Sequence, residues 1–324
     1  MNHHVIRIIL IKLVVFVIAG AGNIVFAGNN YKTICNDSLP HQILITDQNL
    51  NRLLIVDANK RQTTWEWLPA RDGIDSANVE WFHAISEVKP VFNSKYILTV
   101  ASGGGMALIR ITDKKVLFYA YAGGNTHSAA MLPDGNIVTA SSTGNYLMVF
   151  HTDTLSFPNN VYSKKIYLPF AHNTVWDKKR QVLWSAGKNK IYKYSYNFNC
   201  QYPDLILLDS IKIDGDDAHD LYPDYGKDSL WVTTPEHVFK FSPADNKIVA
   251  VNDVNTVNIK SVSSGPEGYK TIMMKPKEKW WTDEVNDADG SIIYQQDSLK
   301  IYKARWLLNN DFSERENEEF TPCR

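Results

Sequence analysis

The sequence predicts an all-β fold, a β-propeller of six blades with about four antiparallel strands in each. Three observations carry this prediction. Short runs rich in β-branched and aromatic residues recur between turn residues, with little helical periodicity. These runs group into units of about 40 to 50 residues, the period of a propeller blade. The aromatic content, 16 Tyr, 13 Phe and 9 Trp among 324 residues, suits pleated strands. A two-sheet sandwich would not produce six copies at so regular a spacing.

Taken in chain order, residues 1–27 stand apart. MNHHVIRIILIKLVVFVIAGAGNIVFA is an apolar run broken only by Arg7 and Lys12, and it ends on the small-x-small triplet Val25-Phe26-Ala27. It reads as a signal peptide cleaved before Gly28; the alternative is a membrane anchor. With no cysteine at the cleavage point, a lipoprotein is not expected. Cleavage leaves residues 28–324 as a single exported propeller domain, periplasmic or extracellular, with no membrane span and expected to be a monomer.

The runs QILITDQ, YILTVAS, NIVTASS, QVLWSAG, SLWVTT and KTIMMKP head the six units, and a turn and a further run follow each. The first unit lacks an innermost strand. Either the segment near YKTICN or the C-terminal tail supplies it and closes the ring, so that no sheet edge is left open there. The stretch SGGGMALI resembles a phosphate loop but lacks the Gly-Lys-Ser/Thr ending and a following helix, so it reads as a hairpin turn. The three cysteines, Cys35, Cys200 and Cys323, do not have zinc-knuckle spacing. Either Cys35 and Cys323 tie the chain ends together and leave Cys200 odd, or all three are free thiols.

Formal charge is −1 with an isoelectric point near 6.8, and no basic stripe exists, so nucleic acid is not an expected partner. The chemistry concentrates in one register. Ten residues before Ile137 is His127, ten before Val182 is His172, and ten before Ser229 is His219. In the sixth unit KSVSSGPEGYK aligns with HSAAMLPDGNI and places Lys260 there; the same offset from Ile97 gives Glu87. Equivalent positions on the first strands of successive blades ring the central channel. The ring is therefore expected to hold Glu87, His127, His172, His219 and Lys260.

Three imidazoles suit a divalent metal of the Mn, Zn or Ca class, and equally a small anion or an acidic glycan. Asp216, Asp217 and Asp220 are candidates to orient His219, or else form a solvated acidic loop. Glu87 and Lys260 are candidate catalytic groups, as a proton-transfer pair or a salt bridge across the pore, with Lys260 as a desolvated base. Lys303 and Arg305 alternate on a strand and are expected to face solvent. Trp280 and Trp281 are placed in a strand of the last unit, with one of them in the core by alternation and Trp281 a candidate for stacking on a sugar ring.

The phrases THSAAMLPDGNIVTASSTGN, AHNTVWD, QVLWSAG, AHDLYP, LWVTT, KSVSS, WWTDEV and KIYKARW resemble an uncharacterised family of exported bacterial six-bladed propellers, a domain of unknown function. The resemblance spans nearly the whole mature chain and implies fold more than activity. A more distant likeness is to oligogalacturonate-lyase-type propellers, in which channel histidines hold a divalent metal; His127, His172 and His219 match in type, though that family's glutamine ligand is not evident. Two functions follow as expectations. One is a metal- or anion-binding channel in an envelope scaffold. The other is a metal-dependent polysaccharide lyase, acting by β-elimination on uronic-acid glycans with Lys260 or a histidine as base.

Overall fold

The computed structural model describes residues 41–252, 256–315 and 318–322. The expectations for residues 1–27, Cys35 and Cys323 lie outside them. The described chain folds into six four-stranded antiparallel sheets, each a blade of one propeller. The innermost strands are Ile85–Val91, Thr126–Met131, Ala171–Asp177, Asp220–Pro223, Ser261–Ser263 and Ile301–Trp306. Each contacts the next around the ring, and the last returns to the first. Among the described residues helix is confined to one 3-10 segment, Ser76–Phe82, and no described helix is long and apolar enough to cross a membrane.

Period-2 alternation explains how the blades pack. In the first blade Leu44, Leu53 and Ile55 face the second blade, while Ile43, Ile45, Leu54 and Val56 face the sixth. Six apolar clusters result among the described residues, one in each gap between neighbouring blades. Both faces of the inner and middle strands are therefore buried. The outermost strands are the ones that meet water, such as Ser163–Tyr167 and Leu205–Lys212.

The ring is closed by the C-terminal segment. Ile301–Trp306 pairs antiparallel with Gln42–Asp47 and forms the inner strand of the first blade. By its place in the sequence KIYKARW is expected to be the third run of the sixth unit, and its pairing with the first blade corrects that expectation. The sixth blade instead uses Ile292–Gln295 as its outer strand, a short run that alternation did not single out. Trp280 and Trp281 lie in the turn before that blade's third strand, Glu284–Asp287, and neither is core: Trp280 is exposed and Trp281 half-buried. SGGGMALI is the expected hairpin, with Gly104 at φ +101° where its neighbours leave no room for a Cβ. Cys200 is disulfide-bonded, so it is not the odd thiol.

Candidate functional site: the channel mouth and the charges beneath it

A β-bulge near the start of the inner strands shapes the channel. In the second blade Ile85 pairs with Ala101 and Glu87 with Val100, leaving Ser86 as the extra residue. His127, His172 and Tyr302 are the extra residues of the third, fourth and first blades. His219 and Lys260 precede the paired residues Asp220 and Ser261 in the same way, their backbone N–H groups donating to Thr233 and Met274. A bulge re-aims the side chain it displaces, and here it gathers Tyr302, His127, His172, His219 and Lys260 at one mouth.

The expected ring is thus correct at His127, His172, His219 and Lys260, and displaced at Glu87. Val182 pairs with Asp177, five residues after His172, and its counterpart in the second blade is Tyr96, which pairs with Val91, five residues after Ser86. Counting ten residues back from Ile97 rather than Tyr96 therefore lands one residue late in the second blade. Ser86 holds the ring position, and its hydroxyl donates to the Thr126 carbonyl at 2.6 Å. Tyr302 was missed because its strand lies at the far end of the chain from the rest of its blade, so no offset reaches it.

At the mouth, Nζ of Lys260 lies 3.0 Å from Nε2 of His219, Nδ1 of His219 lies 3.3 Å from Nε2 of His172, and the Tyr302 hydroxyl lies 3.4 Å from that same Nε2. The ring of His127 stacks on that of His172 at 4.2 Å and 19°. The network assigns the tautomers. An ammonium only donates, so Nε2 of His219 accepts and its Nδ1–H donates to Nε2 of His172. His172 must then carry its proton on Nδ1, which is buried without a partner, as is Nδ1 of His127. A buried N–H without an acceptor costs about 1–3 kcal/mol.

Burial keeps all three imidazoles neutral. It lowers His127 well below the ordinary value, with Lys303 adding to the effect, and His172 likewise, with His127 and His219 adding. His219 falls to about 3 through burial, then Lys260 and Lys303. Burial also brings Lys260 down to about 8, helped by Lys303. None of the three expected acids orients His219: Asp217 pairs with Lys188, Asp220 faces Arg305, and no described contact joins Asp216 to the ring.

One level deeper the channel is filled by charge. Lys303 and Arg305, expected in solvent, are both wholly buried, because they sit on an inner strand. Lys303 Nζ reaches Glu87 at 3.0 Å and both Asn173 and Asp220 at 3.4 Å, spanning the axis. Arg305 contacts Asp220 at 2.6 and 2.8 Å and Glu87 at 3.2 Å, donates to the Val262 carbonyl, and stacks on Tyr222 at 3.9 Å. Lys89 donates to Ser128, Ala129 and Thr174, each at 2.9 Å. Burial pushes the Glu87 carboxyl up, but Arg305, Lys303 and Lys89 outweigh it and hold it below its usual range. Asp220 is likewise pulled down to about 2, against burial, by Arg305 and Lys303. Glu87 and Lys260 therefore do not pair with each other.

The opposite mouth is covered by the C-terminal segment. Ser313 donates to the Trp176 carbonyl, Glu314 accepts from the Asn93 N–H, and Lys178 donates to the Glu314 carbonyl. Beneath it lies a cavity of about 100 Å³ walled by Lys89, Met131, Trp176, Tyr222 and Glu314.

As placed, the three imidazoles do not converge on one metal-ion position: the near-parallel rings of His127 and His172 direct their in-plane lone pairs side by side. No group of three His, Cys, Asp or Glu among the described residues is arranged to hold one. The arrangement suits a hydrogen-bond acceptor bearing negative charge. Lys89, Lys260, Lys303 and Arg305 stand against only Glu87 and Asp220, all of them at least nine-tenths buried. That leaves a surplus of two positive charges in a poorly solvated channel. Trp281 lies under the Lys300 ammonium, 5.2 Å away, outside the ring; the aromatics at the mouth are Tyr302 and Phe170, the latter 5.1 Å from His172.

Residues 1–322 match the family of unknown function DUF6528, and the chain belongs to that family. Among solved structures it is similar to a protein of unknown function from Bacteroides caccae, 18% identical over 82% of this chain and 98% of that one, with a TM-score of 0.55. It is similar also to a chain of a nidogen/laminin complex, 10% identical over 82% of this chain and 98% of that one, again with a TM-score of 0.55. At such identities the likeness is one of fold. No curated protein matches the chain.

Proposed function

We propose that this DUF6528 protein is an exported binding propeller whose channel mouth takes up a small carboxylate, a sugar acid such as a uronate in the first place. The observation that carries the reading is the unpartnered Nδ1–H of buried His172 beside a channel with four cations and two carboxylates. A carboxylate would accept from His172, lie near Lys260 and reduce the surplus charge, while Phe170 offers an apolar face to a sugar ring. Export rests on residues 1–27 alone.

Calorimetric titration with glucuronate, glucose and divalent metal chlorides tests the proposal. It expects heat with glucuronate, none with glucose, and loss of binding in Lys260→Met. Stoichiometric metal binding abolished by His127→Ala would overturn it in favour of the metal centre. A second reading, β-elimination on a uronic-acid glycan, is favoured by one observation: Lys260, brought down to about 8 and beside a neutral imidazole, is suited to act as a base. Ultraviolet absorbance from an unsaturated product on polyuronate would support it, and its absence at high protein concentration would remove it.

A further inference from the structure

Lys260 differs from the other cations of the channel in what its head group meets. Lys303 and Arg305 face Glu87 and Asp220, and Lys89 directs its three donors at oxygen atoms. The described partner of the Lys260 Nζ is instead a neutral ring nitrogen, His219 Nε2, at 3.0 Å. Lys260 is 93% buried, at 7% exposure, while His219 is half-buried and reaches the solvent side of the mouth. A primary amine held away from carboxylates, against an imidazole able to carry a proton either way, is arranged as a nucleophile toward carbonyl carbon.

We infer that Lys260 forms a covalent imine with a carbonyl compound that also bears a carboxylate, such as an oxo acid or the open-chain aldehyde of a sugar acid. The inference rests on the anion-binding reading, since the carboxylate is what brings the carbonyl to the amine. The Nζ lone pair attacks the carbonyl carbon while the C=O π pair moves onto oxygen. His219 Nε2 takes a proton from nitrogen and returns it to that oxygen. The C–O bond then breaks as nitrogen forms the C=N bond, and both amine protons leave with the oxygen as water. One water is released per imine, and no oxidant or reductant enters the step.

The test is trapping. The full chain is incubated with glyoxylate and cyanoborohydride, and its peptides are mapped by mass spectrometry. The expected result is a carboxymethyl group on Lys260 ahead of the exposed Lys60 and Lys179, whose side chains are 73% and 70% accessible. Lys260→Met should lose the label, and His219→Gln, with an unchanged circular dichroism spectrum, should slow it by roughly 100-fold. Labelling of Lys260 no faster than Lys60, or unaffected by His219→Gln, overturns the inference. Glycolate carries the carboxylate without the carbonyl. Calorimetric binding of glycolate with no label on Lys260 refutes the imine and leaves the binding reading standing, whereas neither binding nor label refutes both.

Discussion

Replacing Glu87 by Gln is the sharpest perturbation of the buried channel. The carboxylate receives Lys303 at 3.0 Å and Arg305 at 3.2 Å, and Oε1 also accepts from the Val88 N–H at 3.2 Å. Glutamine keeps the shape and one acceptor oxygen but removes the charge. Lys89, Lys303 and Arg305 would then face Asp220 alone. Removing one partner from a buried ion pair costs about 3–5 kcal/mol, because the remaining charge stays desolvated. Against a whole-domain stability of about 5–15 kcal/mol, that is a large loss. Urea unfolding followed by tryptophan fluorescence measures it, as a fall in midpoint at unchanged slope. Adding Lys303→Met to Glu87→Gln should recover part of the loss, because it removes one of the stranded charges. A cost below about 1 kcal/mol, the worth of an exposed pair, would refute the claim that these charges lie in a poorly solvated core.

Three further outcomes follow from the same geometry. Glu87 and Asp220 have folded pKa values below their ordinary ones, so their stabilisation is present above pH ~4 and lost as pH falls toward ~2. Asp220, lowered from 3.8 to about 2, accounts for about 2 kcal/mol of this, and Asp220→Asn should flatten the acid limb of a stability–pH curve. Glu314 is shifted the other way: burial raises it from 4.5 to about 7, so its ionisation destabilises the fold increasingly as pH rises past ~4.5 and fully above ~7. Glu314→Gln should therefore gain roughly 2–3 kcal/mol at pH 8 and almost nothing at pH 4 in paired urea melts. Finally, the Thr321 carbonyl would lie 2.2 Å from a Cβ at Gly135, and the next residue, Asn136, donates to the Cys200 carbonyl at 2.8 Å. Non-reducing peptide mapping should find Cys200 joined to Cys323 and leave Cys35 alkylatable; a Cys35–Cys200 peptide would contradict this.

The architecture was legible because the middle strands repeat one pattern at one period, with turns between them. Strand alternation alone says which residues share a face, but an inner propeller strand is buried on both faces. Lys303 and Arg305 therefore carried no mark distinguishing a channel charge from a solvated one. His127, His172, His219 and Lys260 were legible through a shared offset from the second strand. It failed at Glu87, where the anchor Ile97 lies one register step past Tyr96, the equivalent of Val182, and at Tyr302, whose strand follows the other five blades. The sixth blade was misread because its strands run only three or four residues, too short for periodicity to register. The stacking of His127 on His172 leaves no trace in residue spacing.

The central claim is that the mouth holds an anion. Bromide is a weakly hydrated anion with an anomalous X-ray signal, so crystals of the full chain soaked in sodium bromide test it most directly. The account predicts an anomalous peak between Lys260 and His172, within hydrogen-bond distance of its Nδ1, and loss of that peak in Lys260→Met crystals. A cation coordinated by His127, His172 and His219 at that mouth, with bromide confined to the outer surface, would contradict it.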